Sequence, residues 1–264
     1  MEILGYLASV LTGVSLGMIG GGGSILTVPI LVYLFAVDPL NATAYSLFIV
    51  GITSLTGALP LYKTGAVDLK MALLFGIPST LAVIFARKII LPTIPQEVLL
   101  ADNLILSRSL FIMLFFATVM ISAALLMVLR KEKAFKNIQN PTPANQKLII
   151  PEAILVGTIS GISGAGGGFL IIPFLTILNK IPIKKAIGTS LLIIGVQSML
   201  GFFSEINLIR PDWLLILKIT LLSVSGFFVG NYWSDKFSGT ALKNTFGWFV
   251  LCIGIYIILK ELPY

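Results

Sequence analysis

Long apolar runs separated by short polar breaks dominate this chain of 264 residues. There are ten such runs, at 3–19, 25–37, 42–62, 69–90, 104–129, 149–162, 169–178, 186–203, 213–233 and 242–259. Runs of about 20 residues are long enough to cross the roughly 30 Å hydrocarbon core of a bilayer as α-helices. The first two runs and the sixth and seventh are too short to span comfortably, and a glycine cluster joins each pair. Paired short runs predict a broken helix or a re-entrant hairpin, whose backbone must face protein or a cavity.

The composition agrees with a lipid environment. Hydrophobic residues make up 57% of the chain and charged residues 11%, whereas a soluble domain usually carries about 25% charged residues. The chain therefore lacks the polar surface that a water-soluble globule needs. The sequence predicts an all-α integral membrane protein of the cell membrane that crosses the bilayer several times.

The charges and the reactive side chains argue against several classes of function. The net charge of +7 comes from Lys and Arg residues in the breaks between apolar runs, which is typical of signals for membrane orientation and not of a nucleic-acid surface. The chain has no histidine, and its single cysteine, Cys252, lies in an apolar run. The commonest proton shuttle and metal ligand is therefore missing, and no intrachain disulfide can form. We expect no catalytic residue, no metal, no cofactor and no nucleic-acid partner.

An internal repeat divides the chain into two halves. Shifted by 144 residues, positions 13 to 57 align without a gap with positions 157 to 201. The matched glycines are Gly13, Gly17, Gly20, Gly22 and Gly23 with Gly157, Gly161, Gly164, Gly166 and Gly167, and Pro29 then falls on Pro173. The register predicts homologous membrane repeats at 1–129 and 149–264, joined by a cytoplasmic linker at 130–148.

The number of crossings in each half predicts how the halves are oriented. Each half crosses three times if its glycine-joined pair re-enters the membrane, and five times if both arms span. Either number is odd, so the second half enters from the opposite side, as in transporters with inverted repeats. With the linker in the cytoplasm, twelve of the 18 Lys and Arg residues lie inside and both ends of the chain lie outside. This bias agrees with the positive-inside rule. Arg87 is assigned to the six external charges.

The two glycine clusters form the predicted substrate site. They comprise Gly20, Gly21, Gly22, Gly23 and Ser24 in the first half and Gly164, Ala165, Gly166, Gly167 and Gly168 in the second. Glycines there let the backbone turn sharply and leave its N–H groups uncovered. The N-terminus of the half-helix that follows adds roughly half a positive charge. Two such termini would make a desolvated anion site without a buried Lys or Arg. The alternative, that the glycines only permit close helix packing, is less favoured because the glycine run, the proline and the repeat coincide.

Five polar side chains complete the predicted site. Ser46 matches Ser190 and Ser54 matches Ser198 in the repeat, one helix after each glycine cluster, and Gln197 is the most polar side chain deep in a predicted span. Other hydroxyls at this level are expected to bond only to their own or a neighbouring helix.

The glycine motifs resemble those of a known transporter family. The stretch Gly13-x-x-x-Gly17-x-x-Gly20-Gly21-Gly22-Gly23-Ser24-x-x-x-x-Pro29, its copy from Gly157 to Pro173, and the sequence Ala-x-Gly-Thr-Ser from Ala186 to Ser190 are similar to the sulfite exporter TauE/SafE family. The resemblance covers nearly the whole chain. It implies export of sulfite, sulfoacetate or a related organosulfur anion. The first half departs from the Gly-Thr-Ser pattern, with Tyr45 in the place of Thr189, so a symmetric role for Thr189 is not expected.

The sequence therefore predicts a transporter that moves a small oxyanion from the cytoplasm to the exterior. Uptake of a similar or inorganic anion is the alternative within transport, and a membrane enzyme or an assembly subunit is the alternative of another class. The bilayer and a small anion are the expected partners, and a homo-oligomer is left open. No acidic residue falls at the centre of a predicted span, whereas proton-coupled carriers usually keep an ionisable group there. We predict uncoupled, electrogenic export, with Glu205 as the one acidic residue close enough to a span to overturn this.

Overall fold

Ten α-helices make up most of the part of the chain that the computed structural model describes, namely residues 2–21, 23–101, 104–129, 146–178, 181–207, 209–234 and 239–262. The helices are α1 (Glu2–Ile19), α2 (Ser24–Tyr33), α3 (Pro39–Lys63), α4 (Leu69–Phe85), α5 (Arg108–Leu129), α6 (Gln146–Ser163), α7 (Gly168–Pro173), α8 (Ile183–Glu205), α9 (Trp213–Ser234) and α10 (Gly239–Glu261). Helix α4 continues into the π-helix Ala86–Ile90 and a last turn at Leu91–Thr93, and α7 continues into the π-helix Phe174–Leu178. Most of the predicted linker, including Lys136, lies outside the described residues.

Six helices of the described ranges are long and apolar enough to cross a membrane. They are Glu2–Ile19, Pro39–Lys63, Leu69–Thr93, Arg108–Leu125, Lys184–Glu205 and Trp213–Ser234. The prediction of an all-α, multi-pass membrane protein is thus confirmed. The expectation that the first run is too short to span was wrong, because α1 is an 18-residue helix.

A short β-hairpin precedes α5. Its strands, β1 (Glu97–Ala101) and β2 (Leu104–Ser107), pair antiparallel. The apolar run at 104–129 was predicted as one helix, but α5 starts only at Arg108. The Ser107 hydroxyl accepts a hydrogen bond from the backbone N–H of Leu110 at 3.2 Å, which is the local signal for a helix start at this point.

Corresponding helices of the two halves begin 144 residues apart, which is the shift of the sequence repeat. Helices α1 and α6 begin at residues 2 and 146, α2 and α7 at 24 and 168, α3 and α8 at 39 and 183, and α4 and α9 at 69 and 213. Each pair is 144 residues apart. Aspartates at matching positions contribute to this agreement, because the carboxylates of Asp68 and Asp212 accept hydrogen bonds from the first turns of α4 and α9.

The halves contact each other reciprocally. Gly13 of α1 packs on the backbone of Ser223 in α9, where an added Cβ would lie 2.0 Å from the carbonyl oxygen. The equivalent Gly157 of α6 packs in the same way on Ser79 of α4, at 2.2 Å. The first helix of each half therefore packs against the fourth helix of the other. Such exchange of equivalent contacts is what a two-fold relationship between two units produces.

The central helices α3 and α8 run antiparallel. Contacts join Gly51 to Met199 and Leu55 to Gly195, so residue numbers fall along α8 as they rise along α3. A two-fold axis that relates two antiparallel helices is perpendicular to them, whereas an axis along the helices would make them parallel.

The first glycine cluster joins α1 and α2 into an antiparallel hairpin. In the first hairpin, Gly23 at the start of α2 lies against Leu16 near the end of α1, and Phe35 beyond the end of α2 lies against Gly5 near the start of α1. The hairpin therefore returns to the side from which it came. The Tyr33 hydroxyl donates a hydrogen bond to Glu261 at 2.9 Å, so the end of α10 lies on the side of the molecule where α1 begins.

Candidate functional site

The two predicted glycine clusters form turns that only glycine adopts readily. Gly20, Gly164, Gly166 and Gly167 all have positive φ angles, between 66° and 78°, where side chains with a Cβ are strained. Helices α2 and α7 begin immediately after these turns. The first N–H groups of a helix have no partner within that helix, so both turns supply backbone donors and the positive end of a helix dipole.

The two turns touch each other. A Cβ on Gly21 would lie 2.6 Å from the carbonyl oxygen of Gly168, and a Cβ on Gly168 would lie 2.7 Å from the Cα of Gly21. The backbones thus meet with no side chain between them. Gly22, which belongs to the predicted site, lies outside the described residues.

Matching serines tie each turn to the other half of the molecule. The Ser46 hydroxyl donates to the carbonyl oxygen of Gly164, and the Ser190 hydroxyl donates to the carbonyl oxygen of Gly20 at 3.1 Å. Both serines are fully buried. They hold the turns in place and leave no free hydroxyl hydrogen for a substrate in this state.

The other matching serines have free hydroxyls. Ser54 and Ser198 are completely buried, and neither Oγ atom has a hydrogen-bond partner among the described residues. Ser198 lies next to the second turn, because a Cβ on Gly166 would be 3.1 Å from its Oγ atom. A buried hydroxyl without a partner costs about 1–3 kcal/mol. Two of them thus stand at equivalent positions of the repeat.

Gln197 makes three hydrogen bonds, one of them to the second turn. Its Nε2 donates to the carbonyl oxygen of Gly166 at 2.7 Å and to the Ser160 hydroxyl at 3.5 Å. Its Oε1 accepts a hydrogen bond from the Ser79 hydroxyl at 3.0 Å. Sequence reasoning missed Ser79, although extending the repeat register to Ser79 and Ser223 would have marked it.

The remaining predicted residues are structural parts of the turns. The Ser24 hydroxyl donates to the carbonyl oxygen of Gly21 at 2.8 Å, and Ala165 is fully buried. Gly23 fits tightly against α1, since its Cβ would lie 2.3 Å from the carbonyl oxygen of Thr12. A small cavity of about 10 Å³ lies beside the first turn, which is room for about one water molecule. Its polar lining consists of Thr12, Ser24, Thr27, Thr53 and Ser223.

Thr189 does have a symmetric counterpart. Its hydroxyl accepts a hydrogen bond from the backbone N–H of Asp68 at 2.9 Å, and the Tyr45 hydroxyl accepts one from Asp212 at 3.1 Å. The expectation from the motif was therefore wrong. A longer side chain in the first half reaches the equivalent N–H group, so the two positions play the same part with different residues.

Arg87, which the sequence assigned to the external charges, is a buried helical residue and not an exposed loop charge. It lies in the π-helix after α4, is completely buried, and pairs with Glu205 at the end of α8, with 3.0 Å between Nη1 and Oε2. The apolar run at 69–90 already contained Arg87, and that position was the available signal. The membrane region thus holds a buried arginine, at a position other than the two glycine turns.

Comparison with known proteins identifies the family of this chain. The sulfite exporter TauE/SafE family matches residues 5–257 of this chain. The chain belongs to the TauE/SafE family. Among its relatives, a probable membrane transporter protein of Xylella fastidiosa (strain 9a5c) is 30% identical over 95% of this chain and 92% of its own length.

Other relatives of this TauE/SafE protein carry similar names. The probable membrane transporter protein YdhB of Bacillus subtilis (strain 168) is 27% identical over 90% of this chain and 92% of its own length. A probable membrane transporter protein of Haemophilus influenzae (strain ATCC 51907 / DSM 11121 / KW20 / Rd) is 28% identical over 98% of each chain. No solved structure matches the chain. The family and its relatives establish a membrane transporter.

Proposed function

We propose that this transporter of the TauE/SafE family exports a small oxyanion, with sulfite or an organosulfur anion such as sulfoacetate as the substrate class. The observation that carries the proposal is the contact between the two glycine turns at Gly21 and Gly168. Two helix N-termini meet there, and Ser54 and Ser198 provide unpartnered hydroxyls at buried positions. Backbone N–H groups, helix dipoles and hydroxyls together stabilise a desolvated anion.

An inverted arrangement of the halves is part of the proposal. The antiparallel contact of α3 and α8 supports it, because two spanning helices related in this way place the two-fold axis in the plane of the membrane. The linker at 130–148 then lies in the cytoplasm and the ends of α1 and α10 that meet near Tyr33 lie outside. Transport would proceed by rocking of the halves about the fixed central site, as in other inverted-repeat carriers.

The direction of transport follows from the membrane potential. An anion that leaves a cell with a negative interior gains about 2.3 kcal/mol per charge for each 100 mV, which supports roughly a fifty-fold gradient without coupling. Uptake of the same anion would need a coupled ion. The resemblance to sulfite exporters favours export.

A flux assay in sealed proteoliposomes tests the proposal. Radiolabelled sulfite, sulfoacetate, thiosulfate and sulfate are loaded separately, and efflux is compared with that from protein-free vesicles. We expect saturable efflux of at least one sulfur oxyanion. Absence of flux for all four anions would contradict the proposal, and chemical conversion of an anion without flux would instead indicate a membrane enzyme.

A further inference from the structure

The ion pair between Arg87 and Glu205 uses only part of the arginine. Glu205 is 5% exposed and Arg87 fully buried, and one contact joins them, from Nη1 to Oε2. The Nε and Nη2 atoms of Arg87 are buried and have no hydrogen-bond partner among the described residues. These two N–H groups lie on the same edge of the guanidinium plane. They form a fork that matches two oxygens of a carboxylate, sulfonate or similar oxyanion.

The equivalent helix pair of the other half packs without this charge pair. With the offset of 144 residues, the position of Arg87 corresponds to Asn231 and that of Glu205 to Leu61. The equivalent interface between α9 and α3 therefore carries no charge at these two positions. Asn231 also lies in a regular α-helix, whereas Arg87 lies in a π-helix, and π-helical turns often occur at functional sites. The ion pair and the π-helical turn are thus present at the α4–α8 interface and missing from the equivalent α9–α3 interface among the described residues.

The pair lies on the same helix interface as the central site. Ser79 contacts Gln197 beside the second glycine turn, and Arg87 contacts Glu205 eight residues further along both helices. At a rise of 1.5 Å per residue, the two contacts are about 12 Å apart along α4 and α8. Val83 and Gly201 contact each other between them.

We infer that Arg87 is a second oxyanion site on the transport route, which receives the anion from the glycine turns and releases it on the side where α1 begins and α10 ends. The inference rests on the proposed function. The anion binds to the Nε and Nη2 fork, while Glu205 stays on Nη1. Glu205 makes the empty site neutral, which lowers the cost of burying Arg87 in the membrane. It also weakens anion binding enough to permit release, as conduction through sequential sites requires.

The test uses purified protein in proteoliposomes and measures KM and the maximal rate of sulfite efflux. Glu205→Gln leaves Arg87 without its counter-charge, so we expect KM to fall about tenfold or more and the maximal rate to fall with it. The double variant Arg87→Gln/Glu205→Gln removes the fork but leaves no unpaired charge. We expect it to insert and fold normally and to lose about tenfold or more of the maximal rate. Arg87→Lys keeps the positive charge but loses the fork. Its maximal rate should lie between that of the wild type and that of the double variant.

Lys88→Gln is the matched control. Lys88 is the next residue of the same π-helix and is exposed, so removing its charge should leave both kinetic parameters unchanged. A double variant with the KM and maximal rate of the wild type would overturn the inference and show a purely structural ion pair. If the double variant fails to fold, an unchanged KM in Glu205→Gln overturns it instead. Failure of the proposed function looks different, since the wild type itself would then move none of the sulfur oxyanions.

Discussion

Gly21 and Gly168 bring the two halves of the protein into direct backbone contact, with 2.6 Å between a Cβ placed on Gly21 and the carbonyl oxygen of Gly168. No side chain larger than hydrogen fits at either position. The contact places the starts of α2 and α7 next to each other. The properties expected of the site follow from this arrangement.

Adding a side chain to the second turn should abolish transport. Gly166 has a φ of +66°, and its Cβ would lie 2.8 Å from Val50 and 3.1 Å from the free Ser198 hydroxyl. We expect Gly166→Ala to lower the flux about tenfold and Gly166→Leu to abolish it while the protein still inserts. We expect the same of Gly22→Leu, because the repeat matches Gly22 to Gly166. Gly76→Ala is the control, because its Cβ would make only an ordinary contact, 3.5 Å from Ile193. Normal flux in Gly166→Leu would show that the glycines only permit close helix packing.

The two serine pairs should respond differently to alanine substitution. Ser54 and Ser198 have no hydrogen-bond partner to lose among the residues that the structure describes, so their alanine variants should unfold at the same temperature as the wild type or higher. Both variants should bind the anion more weakly. Ser46→Ala and Ser190→Ala each lose a bond to a turn carbonyl and should destabilise the protein by about 1 kcal/mol. Thermal unfolding and KM, measured on the same four variants, separate the two roles. Equal effects on all four would show that the free hydroxyls are not a binding feature.

Removing the amide of Gln197 should weaken both the turn and the site. Gln197→Leu removes the side-chain acceptor of Ser79, which keeps only the carbonyl oxygen of Gly76, and takes away the amide that donates to the carbonyl of Gly166. This should lower stability by about 1–3 kcal/mol. Gln197→Glu keeps the shape and the acceptor for Ser79 but adds a negative charge beside the turn. We expect the Glu variant to raise KM for the anion more than Ser79→Ala does. A KM equal to that of the wild type would place the substrate elsewhere.

The topology can be checked by labelling single cysteines from either side of the membrane. Cys252 is exposed, so it is first replaced by serine. We expect a cysteine at position 136 to react only from the cytoplasm, and cysteines at Glu2 and Tyr264 only from outside. Labelling of positions 2 and 136 from the same side would contradict the odd number of crossings in each half.

Export should depend on voltage and not on a pH gradient. Within the described residues, Glu205 is paired with Arg87 and so adds no net charge to the membrane region. Efflux is measured at fixed pH while potassium and valinomycin set the membrane potential. We expect the rate to rise as the vesicle interior becomes more negative. Efflux that ignores voltage, follows a pH gradient and is lost in Glu205→Gln would identify a proton-coupled carrier instead.

The sequence alone determined the membrane environment, the two repeats and the position of the glycine turns. Long apolar runs can be satisfied only by helices in lipid, and a gapless register preserves the helix starts, so both features can be read along the chain. The glycines at positions 20 and 164 likewise mark turns with positive φ angles. Apolar runs, helix starts and glycine turns all depend on the local sequence.

Only the tertiary structure decided which groups meet. The repeat makes Ser46 equivalent to Ser190, but it does not show that Ser46 bonds to Gly164 of the other half while Ser54 is left free. Whether a hydroxyl is used or available depends on the packing of α3 against α8, which joins residues more than a hundred positions apart. Arg87 shows the same limit, because a charge near the end of an apolar run resembles a loop residue until α8 brings Glu205 to within 3.0 Å of it.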